Sequence, residues 1–180
     1  MIRAAVVRSL ALLLLAAALE TPAAPAAVFL VRHAEKQTES NEREVPLSEA
    51  GRTRARHLAG MLRDAGIVAI YSTDTVRTLS TAEPLAKERH LIPILYDATT
   101  AAGLAALAAR IAKEHPEENV LVVGHSNTIA PLARALGCAE EISIGGADYD
   151  GLWIVVPAGD VSGSGTGART AAPGLIRLRQ

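Results

Sequence analysis

An arginine and a histidine follow an apolar stretch near the beginning of the chain and offer the most reactive chemistry in the sequence. Val28–Val31 are four consecutive apolar residues, and Arg32 and His33 come directly after them. A neutral imidazole is a nucleophile, and a guanidinium ion binds anions such as phosphate. We therefore take His33 as the candidate reactive group. The pair is weak evidence by itself, because a histidine beside an arginine is more often a solvated loop residue.

Two other apolar runs end in residues of the same chemical kind. Ile67–Tyr71 is followed by a polar stretch that contains Arg77, and Val120–Val123 is followed by Gly124 and His125. Short apolar runs rich in β-formers predict buried strands. Open α/β sheets bind their ligands at the carboxyl ends of the strands. Three such strand ends therefore predict one shared site.

The order of these residues resembles the histidine phosphatase superfamily, the phosphoglycerate-mutase-like group. Members carry an Arg-His pair after the first strand, an arginine that opens a later helix, and a second histidine after a further strand. Here these residues are Arg32, His33, Arg77 and His125. The resemblance implies that His33 forms a phosphohistidine and that the other three bind phosphoryl oxygens.

The resemblance extends from about Val28 to Leu136, which is most of the predicted domain. The segments Leu47–Gly51 and Arg77–Ala82 are also similar to the family. Ala34 is a departure, because many members have glycine there. We expect the alanine to be tolerated, with slightly less room beside the nucleophile.

The predicted chemistry is hydrolysis of a phosphate monoester. Such a group carries roughly −1.5 to −2 charges near neutral pH, and two guanidinium groups can bind its oxygens with paired N–H donors. Nearby positive charge disfavours a protonated imidazole, so His33 would keep its lone pair. We expect no metal and no cofactor, and a substrate that is either a phosphorylated small molecule or a phosphorylated protein side chain.

The general acid for the leaving group is predicted at Asp97, at the end of a third strand, where some relatives of this type carry an acid. A simple turn residue is an equally good interpretation of Asp97. Glu35 is a second acidic residue close to the nucleophile in sequence, but it could equally orient Arg32 or face solvent.

Four alternative functions remain open at this stage. A non-catalytic module could bind phosphorylated ligands with the same arginines, and a phosphoglycerate-type mutase would return the phosphoryl group to its substrate. Ser126 could be a hydrolase nucleophile, but Thr128 replaces the glycine that a nucleophile elbow requires. His33, Glu35 and His125 could bind a metal, although nearby arginines would repel a cation.

Strands that alternate with helices predict an α/β fold of three layers, with a mostly parallel sheet and helices on both faces. Further strands are expected near the C-terminus. Pro93 places the third strand toward an edge, and Pro84 is expected to kink or divide the second helix. The predicted helices are 48–65, 75–90, 103–115 and 128–136, and the remaining strands are 92–96, 152–156 and 175–178.

The composition predicts one domain, residues 27–180, after an export signal at residues 1–26. Arg3 and Arg8 precede the apolar run Leu10–Leu19, which is too short to span a bilayer, and small residues permit cleavage after 18 or 26. We therefore expect a secreted or periplasmic protein with no stable membrane anchor. The only cysteine, Cys138, cannot form an intramolecular disulfide, so the cysteine content permits export to an oxidising compartment but does not require it.

Nucleic acid is not an expected partner. The formal net charge is −1, and the chain has one Trp, one Phe and three Tyr, so neither a basic surface nor a set of stacking residues is indicated. The segment Gly159–Ala172 is rich in glycine, serine and threonine and is predicted to be a mobile loop between the last two strands.

Overall fold

A computed structural model describes residues 26–39, 42–157 and 174–180. The predicted export signal, apart from Ala26, and the predicted loop at 159–172 lie outside these residues. Within the described residues, no helix is both long and apolar enough to cross a membrane.

The centre of the fold is a six-stranded sheet in the order β3-β2-β4-β1-β5-β6. The first four strands run parallel, β5 is antiparallel to β1, and β6 is antiparallel to β5. The predicted mostly parallel sheet with additional C-terminal strands is confirmed. The strands are β1 (Ala27–Arg32), β2 (Ile67–Ser72), β3 (Ile94–Leu95), β4 (Asn119–Gly124), β5 (Gly151–Val156) and β6 (Gly174–Arg179).

Two helices cover each face of the sheet. The helices are α1 (Glu49–Leu62), α2 (Val76–Arg89), α3 (Ala101–Glu114) and α4 (Ile129–Ala135). Side chains of α1 and α2 pack against one face, with Leu58 and Leu85 almost fully buried, and α3 and α4 pack against the other through Ile111 and Leu132. Because successive strand residues point to opposite faces, a continuous apolar run such as β4 supplies both halves of the core.

Several predicted boundaries differ from the observed ones for local reasons. The third strand spans two residues rather than five, because Pro93 has no N–H to donate to a neighbouring strand. The second helix continues through Pro84 as one element rather than two. The third helix begins at Ala101 rather than Gly103, because the Thr100 side chain accepts a hydrogen bond from the Gly103 N–H and caps it there.

The strand register brings three carboxyl ends side by side. Ser72 at the end of β2 is aligned with Val123 of β4, and Arg32 at the end of β1 is aligned with Gly124. The first residues of β5 lie on the other side of β1, since Leu152 is aligned with Val31. The segments that follow β1, β2 and β4, and the loop that precedes β5, therefore meet at one edge of the sheet.

Candidate active site

His33 follows β1 directly and is held by two backbone contacts. Its N–H donates to the Gly124 carbonyl at 2.9 Å, which ties it to β4, and its ring Nδ1 lies 2.8 Å from the Ala34 carbonyl oxygen. A carbonyl oxygen only accepts, so Nδ1 carries the proton of this hydrogen bond. In the neutral ring, Nε2 then holds a lone pair, and it has no hydrogen-bond partner among the described residues.

The His33 ring is neutral across the physiological range. Burial lowers its pKa to about 3; the Ala34 contact opposes this shift, and the positive charges that His125, Arg77 and Arg32 can carry add to it. His33 is only 4% exposed, so the ring gains little solvation when it is protonated. Nε2, the ring nitrogen without a hydrogen-bond partner among the described residues, is therefore an available nucleophile at neutral pH.

Arg32 is anchored by the loop that precedes β5. Its Nη1 donates to the carbonyl oxygens of Gly145 and Gly146, each at 2.9 Å, and to that of Asp148 at 3.1 Å. The guanidinium carbon also lies 3.9 Å from the centre of the Tyr149 ring, a cation–π distance. The side chain is buried and its position is fixed from several sides.

Arg77 enters from the first turn of α2. Thr75 caps this helix by accepting from the Thr78 N–H, and Arg77 Nη1 donates to the Glu42 carbonyl oxygen at 2.8 Å. Burial lowers the pKa of Arg77, whereas the nearby Tyr149 phenol acts in the opposite direction. A helix N-terminus also favours an anion at this place, because its N–H groups are unpaired.

Both arginines keep an unused donor inside the protein. Arg32 Nε and Arg77 Nε are the buried side-chain nitrogens without a hydrogen-bond partner among the described residues. Neither guanidinium forms an ion pair with a described carboxylate. Both are anchored by neutral carbonyl groups instead. A buried donor without a partner is costly. The site thus combines two positive charges with two unsatisfied N–H groups.

His125 follows β4 and lies beside His33, with ring centroids 5.4 Å apart. Its Nε2 is 2.8 Å from Thr73 Oγ1, which contacts Thr78 Oγ1 at 3.0 Å. The Thr78 hydroxyl in turn reaches a backbone carbonyl, so a chain of hydrogen bonds occupies Nε2 and leaves Nδ1 to the site. Burial, with Arg77 and Arg32, lowers the pKa of His125 to about 4.

Tyr149 belongs to the same cluster but was not predicted from the sequence. Its ring centroid lies 5.9 Å from that of His33. Tyr149 is part of no sequence motif. The polar segment between Cys138 and Gly151 indicates a loop, but nothing in it marks this tyrosine as a site residue. The register of β5 on β1 brings this loop to the site.

Glu35 is paired with an arginine of α1 rather than with Arg32. Its carboxylate accepts from Arg54 Nε and Nη2, with the shortest contact at 2.6 Å. Burial raises the pKa of Glu35, but the hydrogen bonds from Arg54 outweigh this effect and the net shift is downward. The pair joins α1 to the segment that carries His33.

Asp97 is exposed and engaged locally. Its Oδ1 accepts from the N–H and the hydroxyl of Thr99, at 2.8 and 2.6 Å, and these bonds lower its pKa. No contact joins it to His33, Arg32 or Arg77 within the described residues. The general-acid role of Asp97 stays a prediction. The part of the chain that the structure describes also contains no cluster of three His, Cys, Asp or Glu residues arranged to hold a metal ion.

The family model of the histidine phosphatase superfamily (branch 1) matches residues 28–101, a stretch that contains Arg32, His33 and Arg77. The predicted resemblance to this superfamily is confirmed. No curated protein sequence matches the chain.

Solved structures of histidine phosphatase-like proteins have the same fold. The protein histidine phosphatase SixA, complexed with tungstate, is 17% identical, with a TM-score of 0.63 over 85% of this chain and 96% of that one. A mycobacterial glucosyl-3-phosphoglycerate phosphatase with inorganic phosphate is 20% identical, with a TM-score of 0.60 over 84% and 96%. Phosphoglycerate mutase from Bacillus anthracis str. Sterne is 18% identical, with a TM-score of 0.61 over 76% and 89%.

Proposed function

We propose that the protein is a metal-independent phosphomonoester hydrolase that works through a phosphohistidine at His33. The observation that carries this proposal is a pair of buried guanidinium groups, those of Arg32 and Arg77, which act electrostatically on an unprotonated His33 ring and are anchored by neutral carbonyl groups. A phosphoryl group supplies what this site lacks, namely negative charge and several acceptor oxygens.

Substrate binding neutralises the positive charge of the two guanidinium groups. The two guanidinium groups would each donate to a non-bridging oxygen, which holds phosphorus in front of His33. His125 Nδ1 donates to a third oxygen only in the protonated ring, which the charge of a bound phosphoryl group favours. Because the arginines are anchored by carbonyl groups rather than carboxylates, their charge is available to the ligand. Preorganised donors in a buried site stabilise the charge of the transition state without first having to reorient.

Two displacements complete the reaction. In the first, His33 Nε2 forms a bond to phosphorus while the bond to the leaving oxygen breaks, and that oxygen takes up a proton. The ring keeps its Nδ1 proton and becomes a cation, which the hydrogen bond to Ala34 stabilises. In the second, water attacks phosphorus, the P–N bond breaks, and inorganic phosphate and neutral His33 are restored.

Asp97 remains the proposed proton donor for the leaving oxygen. In that role it matters most for alkyl phosphates, whose leaving groups need a proton, and little for p-nitrophenyl phosphate. Asp97→Asn should therefore lower kcat/KM for an alkyl phosphate more than for the nitrophenyl ester. Equal values for wild type and variant with both substrates would remove Asp97 from the mechanism.

Hydrolysis is favoured over mutase action because the chain is short and the sequence shows no large insertion to enclose a sugar phosphate. Two of the similar solved structures are named as phosphatases and one as a mutase. The apolar segment Leu10–Leu19 supports export, so we expect the substrate outside the cytoplasm.

Rapid mixing with p-nitrophenyl phosphate tests the proposal. We expect a burst of nitrophenol, an acid-labile phosphoenzyme trapped with ³²P-labelled substrate, and turnover that persists in a chelator. His33→Ala should lose the burst and at least about a thousand-fold in kcat/KM, as nucleophile removal does elsewhere. His57→Ala is the matched control, because His57 is exposed on α1.

The outcome separates the enzyme from its main rival. A non-catalytic phosphate-binding module would bind inorganic phosphate in calorimetry but give neither burst nor turnover. Near-normal activity of His33→Ala would refute His33 as the nucleophile.

A further inference from the structure

Tyr149 contacts the guanidinium group of Arg32, the residue directly before the proposed nucleophile His33. Its ring centre lies 3.9 Å from the guanidinium carbon of Arg32, and the ring is half-buried just before β5. The phenol hydroxyl has no hydrogen-bond partner among the described residues. The contact with Arg32 is therefore made by the ring of Tyr149 rather than by its hydroxyl.

We propose that Tyr149 is a positioning residue that fixes the plane of the Arg32 guanidinium for phosphate binding. This role rests on the proposed function of the site. Tyr149 acts through Arg32 and sets how firmly the phosphoryl group is held.

The backbone contacts of Arg32 do not by themselves fix the plane of its guanidinium group. All three carbonyl oxygens bind the same nitrogen, Nη1, so they anchor one end of a planar group. A group held at one end can still tilt out of its plane. The Tyr149 ring lies against the guanidinium and limits that tilt, so that the buried Nε keeps its direction.

Tyr149 is itself held in place by its neighbours. The loop before it is closed by two hydrogen bonds between Gly145 and Asp148, at 2.9 and 3.1 Å. On its other side, Asp150 accepts from Arg179 at 2.6 Å, and its carbonyl accepts from the Gln180 N–H at 2.7 Å. These bonds hold the backbone on both sides of Tyr149 and so limit how far its ring can move.

Two substitutions separate the ring from the hydroxyl. Tyr149→Phe keeps the stacked ring, and we expect its Kd for inorganic phosphate and its kcat/KM to stay within about twofold of wild type. Tyr149→Leu removes the aromatic face, and we expect the phosphate Kd to rise roughly 3- to 30-fold, the range that a partly desolvated cation–π contact implies. Calorimetric titration with inorganic phosphate gives both values.

A double-mutant cycle tests whether Tyr149 acts through Arg32. In the Arg32→Met background, which keeps an unbranched side chain but removes the cation, Tyr149→Leu should change the phosphate Kd by less than about twofold. Arg177→Gln is the control for loss of a cation near an aromatic ring, because the guanidinium carbon of the exposed Arg177 lies 5.7 Å from the centre of the Trp153 ring. It should leave the phosphate Kd unchanged.

Three results would overturn the proposal. A Tyr149→Phe variant as weak as Tyr149→Leu would assign the effect to the hydroxyl, and an unchanged Kd in Tyr149→Leu would remove the role. A full effect in the Arg32→Met background would make Tyr149 independent of Arg32. The phosphate titrations need no turnover, so they are read separately from the His33→Ala experiment that tests the enzyme itself.

Discussion

Gly51 of α1 packs against the backbone of Glu35 so closely that a Cβ atom at position 51 would lie 2.2 Å from the Glu35 carbonyl oxygen. That carbonyl also accepts from the Ser48 N–H at 2.9 Å, so the beginning of α1 is joined directly to the segment that carries His33. The absence of a side chain at position 51 is what allows the helix to approach the site.

Gly51→Ala should therefore damage both stability and activity. A Cβ this close to backbone forces a shift of α1 or of residue 35, and overpacking of this kind typically costs about 1–3 kcal/mol. Gly60→Ala on the same helix is the matched control: nothing lies within 4 Å of its Cβ, so it should stabilise by about 0.5–1 kcal/mol. Urea denaturation and kcat/KM measure both, and equal behaviour of the two variants would contradict the packing argument.

Arg77→Lys should weaken phosphate binding by roughly tenfold or more, although the charge is conserved. A lysine ammonium has three donors, but all lie on one nitrogen, so it cannot reproduce a planar group that donates to the Glu42 carbonyl from Nη1 and keeps separate donors on its other nitrogens. Calorimetry with inorganic phosphate measures the loss. Arg56→Lys is the control, because its side chain is 60% exposed on α1 and should bind phosphate as the wild type does.

Thr73→Val should lower kcat/KM by about tenfold. Valine matches the shape of threonine but leaves His125 Nε2 and Thr78 Oγ1 without the hydroxyl that joins them. Thr73→Ser restores the hydroxyl and should recover most of the activity. Activity in the valine variant equal to that of wild type would show that the hydrogen-bond chain does not orient His125.

The pKa values of the two site histidines predict how stability depends on pH. Burial lowers the pKa of His33 to about 3 and that of His125 to about 4, whereas both are near 6.5 in the unfolded chain. The unfolded state then binds more protons, so stability is full above pH 6.5 and falls as the pH approaches those lower values. We expect a loss on the order of a few kcal/mol from each.

Thermal unfolding between pH 7.5 and 4 in phosphate-free buffer measures this dependence. His33→Gln should flatten part of the slope, because glutamine does not titrate. His57→Gln, at an exposed position on α1, is the control for the substitution itself. An identical slope in wild type and His33→Gln would show that His33 is readily protonated in the folded protein.

The sheet and the strand-end residues could be predicted because buried strands leave a clear sequence pattern. Runs such as Val120–Val123 are apolar on both faces, and the reactive residues follow them without a gap. Once those strands are parallel neighbours, His33 and His125 must lie close together, as they do.

The anchoring of the arginines could not be predicted in the same way. Arg32 is held by carbonyl oxygens of residues 145–148, and every residue has a carbonyl group, so no residue type marks such a contact. The ion pair between Glu35 and Arg54 could not be predicted either, since Arg54 reaches Glu35 only when α1 packs beside the segment that follows β1. Contacts between distant segments through backbone atoms depend on the fold rather than on a local pattern.

The two carbonyl-anchored guanidinium groups have a consequence for regulation. They recognise phosphoryl oxygens rather than the rest of a substrate, so free orthophosphate competes for the same donors. We expect product inhibition, with a Ki for orthophosphate close to its Kd, and a turnover rate that falls as phosphate accumulates around the protein.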